Sequence, residues 1–341
     1  MVKKILILAI LFLNCALAQN KTTFYVGSWN VENLFDTLDN PTKDDNEFLP
    51  ESEKKWNADK YNSKLKNLAQ VINEMNNKQG PDMLGLIEVE NIYVVNDLLK
   101  SIKSFNLKEY KIAHVESLDP RGIDNALLYN SLMFELLETT PIRIQLETEN
   151  AETRYILKLE FVIKNLKKKN KLIIYVNHWP SRRGGEDTSE KNRIAAAQTL
   201  ISDIDRLDKK NANIIIFGDF NDEPSNKSLY EVLNAKKLDK IKNEEVKLFN
   251  LAIEKKELGE GTYYYRGTWN MLDQMIISKN LLSEKKVGYI PNSFEIIRPE
   301  FMITKEGNFK GSSIPTYGGK KYLGGYSDHF PIGAKFYINT K

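Results

Sequence analysis

Cysteine is almost absent from this sequence: Cys15 stands alone among 341 residues. One thiol closes no intrachain disulfide and builds no cysteine-type zinc site. Histidine is scarce too, with three residues and no His-x-x-x-His pair, so a dedicated zinc site is not expected. Charge of one sign is also lacking, since 49 Lys and Arg against 46 Asp and Glu leave a formal +3. That value does not mark a nucleic-acid binder by bulk electrostatics, although a groove can be basic on an otherwise balanced surface. After the N-terminal segment no apolar run approaches the ~18 residues of a membrane span, so no stable membrane insertion is expected there. No internal repeat, low-complexity block or linker is visible. What the chain does have is 41% hydrophobic and 28% charged residues, with 16 Tyr and 15 Phe to fill a core. That is the composition of a globular protein long enough for one large α/β domain.

The first 18 residues read as a signal peptide. Lys3 and Lys4 supply the positive region, Ile5 to Leu13 the apolar run, and Ala16-Leu17-Ala18 the small-x-small cleavage pattern before Gln19. Asn14 precedes Cys15 where lipidation needs a small residue. Cutting 18 of 341 residues leaves 323, removes the cysteine, and takes the basic count from 49 to 47 against 46 acids. The expectation is an exported, thiol-free single domain over residues 19–341, periplasmic or extracellular and monomeric, resting on its core and a bound metal.

The remainder alternates strands and helices. Apolar runs predict strands at 24–31, 82–89, 126–129, 155–163, 171–177, 213–217, 262–266, 272–278 and 330–338. Apolar residues at three- to four-residue spacing predict helices over 56–76, 91–104 and 189–207. A short helix is expected after Pro224, capped by Ser225 or Asn226. Residues 307–325 read as a Gly-, Ser- and Tyr-rich loop, and 280–298 as ambiguous.

Polar residues collect just after the apolar strands, where a rigid scaffold places reactive groups. They are Asn30 in SWNVENLF, Glu88 in LGLIEVEN, Asp124 in GIDNALLY and His178 in YVNHWPSRRGG. Asp219 and Asn221 in GDFND, Asp273 in NMLDQM, and Asp328-His329 in YSDHFP follow. Each alone could cap a turn or face solvent, and His114 in AHVES reads as structural or surface. Together, carboxylate and amide oxygens suit a hard cation, Mg²⁺ before Mn²⁺ or Ca²⁺. Histidines near such a cation fit phosphate-ester hydrolysis, in which positive groups share the charge of the transition state.

SWNVEN, LIEVEN, NHWPS, GDFND, LDQ and SDHFP, in that order, resemble the endonuclease/exonuclease/phosphatase superfamily, the fold of deoxyribonuclease I. The resemblance spans about Phe24 to Ile338. It implies a four-layer α/β/β/α sandwich with two mixed sheets and a site at one edge. It also implies metal-binding roles for Asn30, Glu88 and Asp328, with Glu88 as chief ligand. Asp219 and Asn221 would hold the attacking water and a phosphate oxygen. His329 would contact the scissile phosphate and Asp273 would orient it, while His178 matches the second histidine of the deoxyribonuclease branch. Asp124 is expected to support His178.

The superfamily holds nucleases, other phosphodiesterases and phosphomonoesterases, and fold does not choose among them. Arg182 and Arg183 in SRRGGE are candidates to clamp a flanking phosphate, with Arg193 on the same face. Tyr265, Arg266 or Trp269 could meet a base or sugar, or could be a packed strand pair. The expectation is an exported metal-dependent phosphodiesterase, a nuclease acting on DNA or RNA. A phosphomonoesterase, a small-molecule or lipid phosphodiesterase and a non-catalytic binding module remain the alternatives.

Overall fold

The computed structural model describes residues 21–102, 108–146, 151–164, 166, 170–207, 212–283 and 286–339. The expected signal peptide lies outside the described residues. Strands β1 (Lys21–Leu34) and β2 (Met83–Val89) flank helix α1 (Ala58–Lys78), and helix α2 (Ile92–Ser101) leads to β3 (Tyr110–His114). Then come β4 (Asp124–Asn130), β5 (Phe134–Ile142), β6 (Ile156–Ile163) and β7 (Lys171–His178). Helix α3 (Glu186–Arg206) leads into β8 (Asn213–Asp219), and β9 (Ala235–Lys236) and β10 (Leu248–Asn250) precede the short helix α4 (Ile253–Glu257). The hairpin β11 (Tyr263–Tyr265) and β12 (Thr268–Asn270) leads to β13 (Asp273–Ser278). The chain ends with β14 (Val287–Tyr289), β15 (Glu295–Ile296), β16 (Tyr317–Gly318), β17 (Lys321–Tyr322) and β18 (Ile332–Asn339).

Two large sheets result. One has the order β14-β18-β1-β2-β4-β3, with β15 beside β18; the other runs β5-β6-β7-β8-β13-β10-β9. Both are mixed, because β1 is parallel to β2 and β7 to β8 while their other principal neighbours are antiparallel.

Side-chain alternation sorts the core into three interfaces. Phe24, Val26, Leu127, Ile174, Ile215 and Phe217 face each other between the sheets. Tyr25, Trp29, Leu84 and Leu86, on the opposite face of the first sheet, bury against Leu65, Leu68 and Ile72 of α1 and Val94 and Leu98 of α2. Ile173, Tyr175, Ile214 and Ile216 do the same against Ala196, Ala197, Leu200 and Ile204 of α3. Three apolar interfaces make four layers, as the resemblance implies.

Asn57 and Asn91 start α1 and α2, their side-chain oxygens accepting first-turn N–H groups. Regular helix in α1 stops at Met75, because Asn76 and Asn77 are left-handed (both φ 54). The helix expected after Pro224 is a single wide turn over Ser228–Val232, and the 307–325 loop contains the small β16-β17 hairpin. Among the described residues no helix is long and apolar enough to cross a membrane.

Candidate active site

Strand register sets the first row of groups. His178 ends β7 opposite Asp219 of the parallel β8, and Asp273 begins β13 opposite the same Asp219. His178, Asp219 and Asp273 therefore lie abreast on three hydrogen-bonded strands. Gly218 permits this: its φ is 140, and a Cβ there would come 1.9 Å from the Asn177 carbonyl oxygen.

The first sheet supplies the second set. Asn30 lies opposite Ile87, and the β1-β2 register breaks just beyond it. Around the break Glu32, Asn33 and Glu88 all take left-handed backbone (φ 54, 53 and 67), as does Asn221 across the cleft (φ 51). Non-glycine residues held there store strain, which tertiary contacts must offset. The Asn33 N–H donates to Glu88 Oε2 at 3.1 Å and the Glu32 N–H to Asn30 Oδ1 at 3.0 Å. Asn30 Nδ2 then donates to Asp219 Oδ2 at 3.0 Å, joining the two sheets across the site. Asp219 Oδ1 accepts the Asn221 N–H at 2.8 Å.

His329 enters from the loop before β18. The Trp29 indole N–H donates to its carbonyl, and its own N–H donates to Ser327 Oγ. The Ser327 hydroxyl donates to the Asn30 carbonyl. His329 Nδ1 meets Asp273 Oδ2 at 2.6 Å, and the Tyr263 ring stacks on the imidazole at 4.7 Å. The Nε2 atoms of His178 and His329 each lie 3.9 Å from Asp219 Oδ2, and His178 Nε2 is 3.7 Å from Glu88 Oε1. Glu88, His178, Asp219, Asn221, Asp328 and His329 line an open cleft of about 360 Å³. A larger cavity, about 430 Å³, lies elsewhere among Ile201, Ile204 and Leu248 and holds none of them.

Electrostatics separates the two histidines. Burial, with the positive charges of Arg154, Arg121 and His329, holds His178 well below the usual imidazole value, so it is neutral. Burial also disfavours the charged form of His329. Asp273 and Asp328, the Asp273 hydrogen bond and Asp219 outweigh that and raise its pKa well above the usual value. Two titratable groups pushed apart in this way can serve as one acid and one base. Burial also lifts Asp219 to about 6, against the pull of His329, and desolvation with Glu32 and Glu88 lifts Asp328 to about 7. The Asp328 side chain nonetheless keeps 40% of its surface exposed.

Among the described residues no three acidic or histidine side chains converge into a ready-made metal cage. The donor chemistry still fits a hard cation. Glu88 and Asp328 offer carboxylate oxygens in a patch crowded with negative charge, and Asn30 offers an amide oxygen. Mg²⁺ commonly takes only one or two carboxylates and fills its remaining positions with water and phosphate oxygens.

Two expectations are corrected. Asp124 is not shown paired with His178. Its Oδ2 is 3.2 Å from His114 Nε2, and its Oδ1 accepts the Ser117 N–H. The cause is register: β3 and β4 pair antiparallel with His114 opposite Ala126, which brings the end of β3 beside the start of β4. Arg193 does not face a substrate. It is fully buried, its Nε 2.5 Å from Asp222 Oδ1, its Nη1 donating to Ser189 Oγ and its Nη2 to the Glu186 carbonyl. Removing one partner of a buried ion pair leaves the other charge uncompensated. Arg193→Ala should therefore cost about 3–5 kcal/mol in urea-melt stability, and a loss under 1 kcal/mol would refute the pairing.

Arg182 lines the cleft but holds the frame, its Nε donating to the Asn221 carbonyl at 2.7 Å. Arg183 lines the cleft with an exposed side chain. Trp269 packs against Tyr264 and Phe330, whereas Tyr265 is 51% exposed at the cleft.

Several residues of the site lie outside the polar motifs around the strands. Arg121 lines the cleft beside Arg183. Buried Arg154 donates to Asp119 and to the Trp179 carbonyl, which also accepts Asn221 Nδ2 and so fixes that amide. Lys64 of α1, wholly buried, donates to Thr316 Oγ1 and the Tyr326 carbonyl and lies 3.8 Å from Glu32. It ties α1 to the segment leading to Asp328. Arg121, three residues before Asp124 in DPRGID, was the one with a sequence signal.

Two face-to-face mixed sheets with carboxylate, amide and imidazole groups gathered at one edge define a hydrolase of phosphoric esters. The chain belongs to the Endonuclease/Exonuclease/phosphatase family, whose sequence model matches residues 25–339. Solved structures agree on the fold. TDP2 of D. rerio, humanized by 14 mutations, superposes with a TM-score of 0.57 at 14% identity, over 92% of this chain and 98% of that one. D. rerio TDP2 complexed with single-strand DNA product gives 0.56 at 14% identity, over 92% and 99%. A Bacteroides thetaiotaomicron mannosyl-6-phosphatase gives 0.54 at 15% identity, again over 92% and 99%. No curated protein sequence matches the chain. Enzymes of this family typically use divalent metal ions.

Proposed function

We propose that this protein is an exported, Mg²⁺-dependent phosphodiesterase that cleaves nucleic acid, working as a monomer after removal of residues 1–18. The observation that carries this reading is that two imidazole Nε2 atoms each lie 3.9 Å from one Asp219 oxygen, one ring neutral and the other charged. A water held by Asp219 and Asn221 attacks phosphorus in line. Protonated His329, fixed by Asp273, donates to the phosphoryl oxygens as charge grows. Neutral His178 moves a proton at the oxygens around phosphorus. A cation at Glu88, Asp328 and Asn30 would neutralise charge on a phosphoryl oxygen.

Two features favour a nucleic-acid diester. The exposed Tyr265 ring at the rim suits stacking on a base. D. rerio TDP2, complexed with single-strand DNA product, shares the fold.

The test incubates the purified mature chain with plasmid, RNA and a phosphomonoester, with Mg²⁺ or with chelator. Nicking or RNA cleavage that chelator abolishes is the expected result. Monoester turnover without polymer cleavage would overturn the diester assignment. N-terminal sequencing of the exported protein should begin at Gln19.

A further inference from the structure

A second cavity of about 270 Å³ adjoins the catalytic cleft, and the two share Arg121 and Arg183 as a common wall. Lys54, Asn33, Phe35 and Phe48 line its other sides. Phe35 and Phe48 are stacked at 4.3 Å, with the Lys54 ammonium 4.4 Å over the Phe48 ring. Two carboxylates, Asp44 and Glu47, also line the cavity. Glu47 is satisfied by Lys54 at 2.7 Å, and the Lys54 hydrogen bond and charge, with Arg183 contributing last, hold it below the usual carboxylate range.

The two arginines of the wall are held differently from the other arginines near the site. Arg182 and Arg193 are tied to carbonyl oxygens and to Asp222. Arg183 is exposed, and the Arg121 side chain is 45% exposed, steadied from behind by Asp119 at 3.7 Å from its Nε. Asp119 is itself fixed by buried Arg154. A second carboxylate partner for Arg121 would cancel its charge. Among the described residues the one it has is shared with Arg154, which leaves net positive charge where the cavities meet.

We propose that this cavity is a second phosphate subsite, in which Arg121 and Arg183 hold a phosphate one nucleotide from the scissile one. The proposal rests on the phosphodiesterase reading and adds to it. The sequence suggested Arg182 with Arg183 as the clamp, whereas the geometry substitutes Arg121 for Arg182. Guanidinium groups bind phosphate through paired N–H donors, and charge-assisted bonds of this kind are the stronger ones.

Binding can be read without turnover, by calorimetry of thymidine 5′-monophosphate and thymidine 3′,5′-bisphosphate with chelator present. The wild-type chain should bind the bisphosphate about tenfold more tightly, equivalent to ~1.4 kcal/mol. In Arg121→Gln and Arg183→Gln the affinity ratio should fall toward one. Arg121→Lys should recover part of it, since the charge returns without the fork. Circular dichroism should report a folded chain for each variant. Equal affinities in the wild type, or a ratio unchanged in both Gln variants, would overturn the subsite. A preserved ratio without cleavage of any phosphodiester would instead sink the phosphodiesterase reading and leave the subsite standing.

Discussion

His329→Gln should lower kcat on the cleaved phosphodiester by roughly 10²–10⁴-fold while KM moves little. The imidazole stands at the meeting point of the two sheets and carries positive charge because Asp273 lies 2.6 Å from its Nδ1. Glutamine keeps a donor for Asp273 but no charge, so the loss reports the cation and not a collapsed pocket. Asp273→Asn is the companion experiment. His329 is raised in the folded state, so its charged form adds stability that is complete below the unfolded value of about 6.5 and disappears as pH climbs through the folded pKa. Asp273→Asn should move the alkaline limb of kcat/KM down by about 1–3 pH units and flatten that stability dependence. If His329→Gln retains more than a tenth of wild-type kcat, His329 is not the transition-state donor.

The second large effect is expected at Glu88. Glu88→Gln should reduce turnover about a thousandfold or more, a barrier change of several kcal/mol. It should also abolish the rise in Tm expected when Mg²⁺ is added to the wild-type chain, because a ligand binding only the folded state stabilises by mass action. Glu88 sits on left-handed backbone with Oε2 accepting the Asn33 N–H, which leaves Oε1 toward the cleft. That strain makes a second forecast: Glu88→Gly should relieve backbone cost and yield a chain at least as stable as Glu88→Ala, though equally inactive. A wild-type chain that cleaves in chelator, with no Mg²⁺-dependent Tm shift, would remove the cation from Glu88.

The fold was largely legible because its central strands are apolar on both faces. NIIIF and KLIIYV can only be buried strands, and the polar residue ending each falls at the sheet edge. β5, FELLETTPI, is hard to see in the sequence: it is an edge strand with exposed Glu residues and a proline, so hydrophobic alternation does not mark it. β3 is too short to stand out in the sequence, and the meeting of His114 and Asp124 is hidden with it. Within the site, the residues of the polar motifs around the apolar strands are legible, whereas Lys64, on a helix, and Arg154, in the plain stretch before β6, are not. Lys64 looks like any helix lysine, and only packing shows that it is buried. Arg154 precedes β6 in an unremarkable stretch. Arg193 erred in the opposite direction, since an arginine near SRRGGE reads as exposed until Asp222 is seen against it. Local sequence reports what its own backbone segment will do, whereas partners distant in the chain become visible only when the sheets are assembled.

The row His178-Asp219-Asp273 has a consequence for how this protein can change. These side chains are aligned by ladder hydrogen bonds between β7, β8 and β13, in the middle of the second sheet. Amides there should be among the last to exchange with solvent, since opening them requires the sheet itself to come apart. The groups that would select a substrate, Arg121, Arg183 and Tyr265, belong instead to the surrounding loops and a two-stranded hairpin. Reactivity and selectivity are thus inherited from different parts of the chain. A library that varies only the rim can be searched for new substrates with the hydrolytic apparatus left standing.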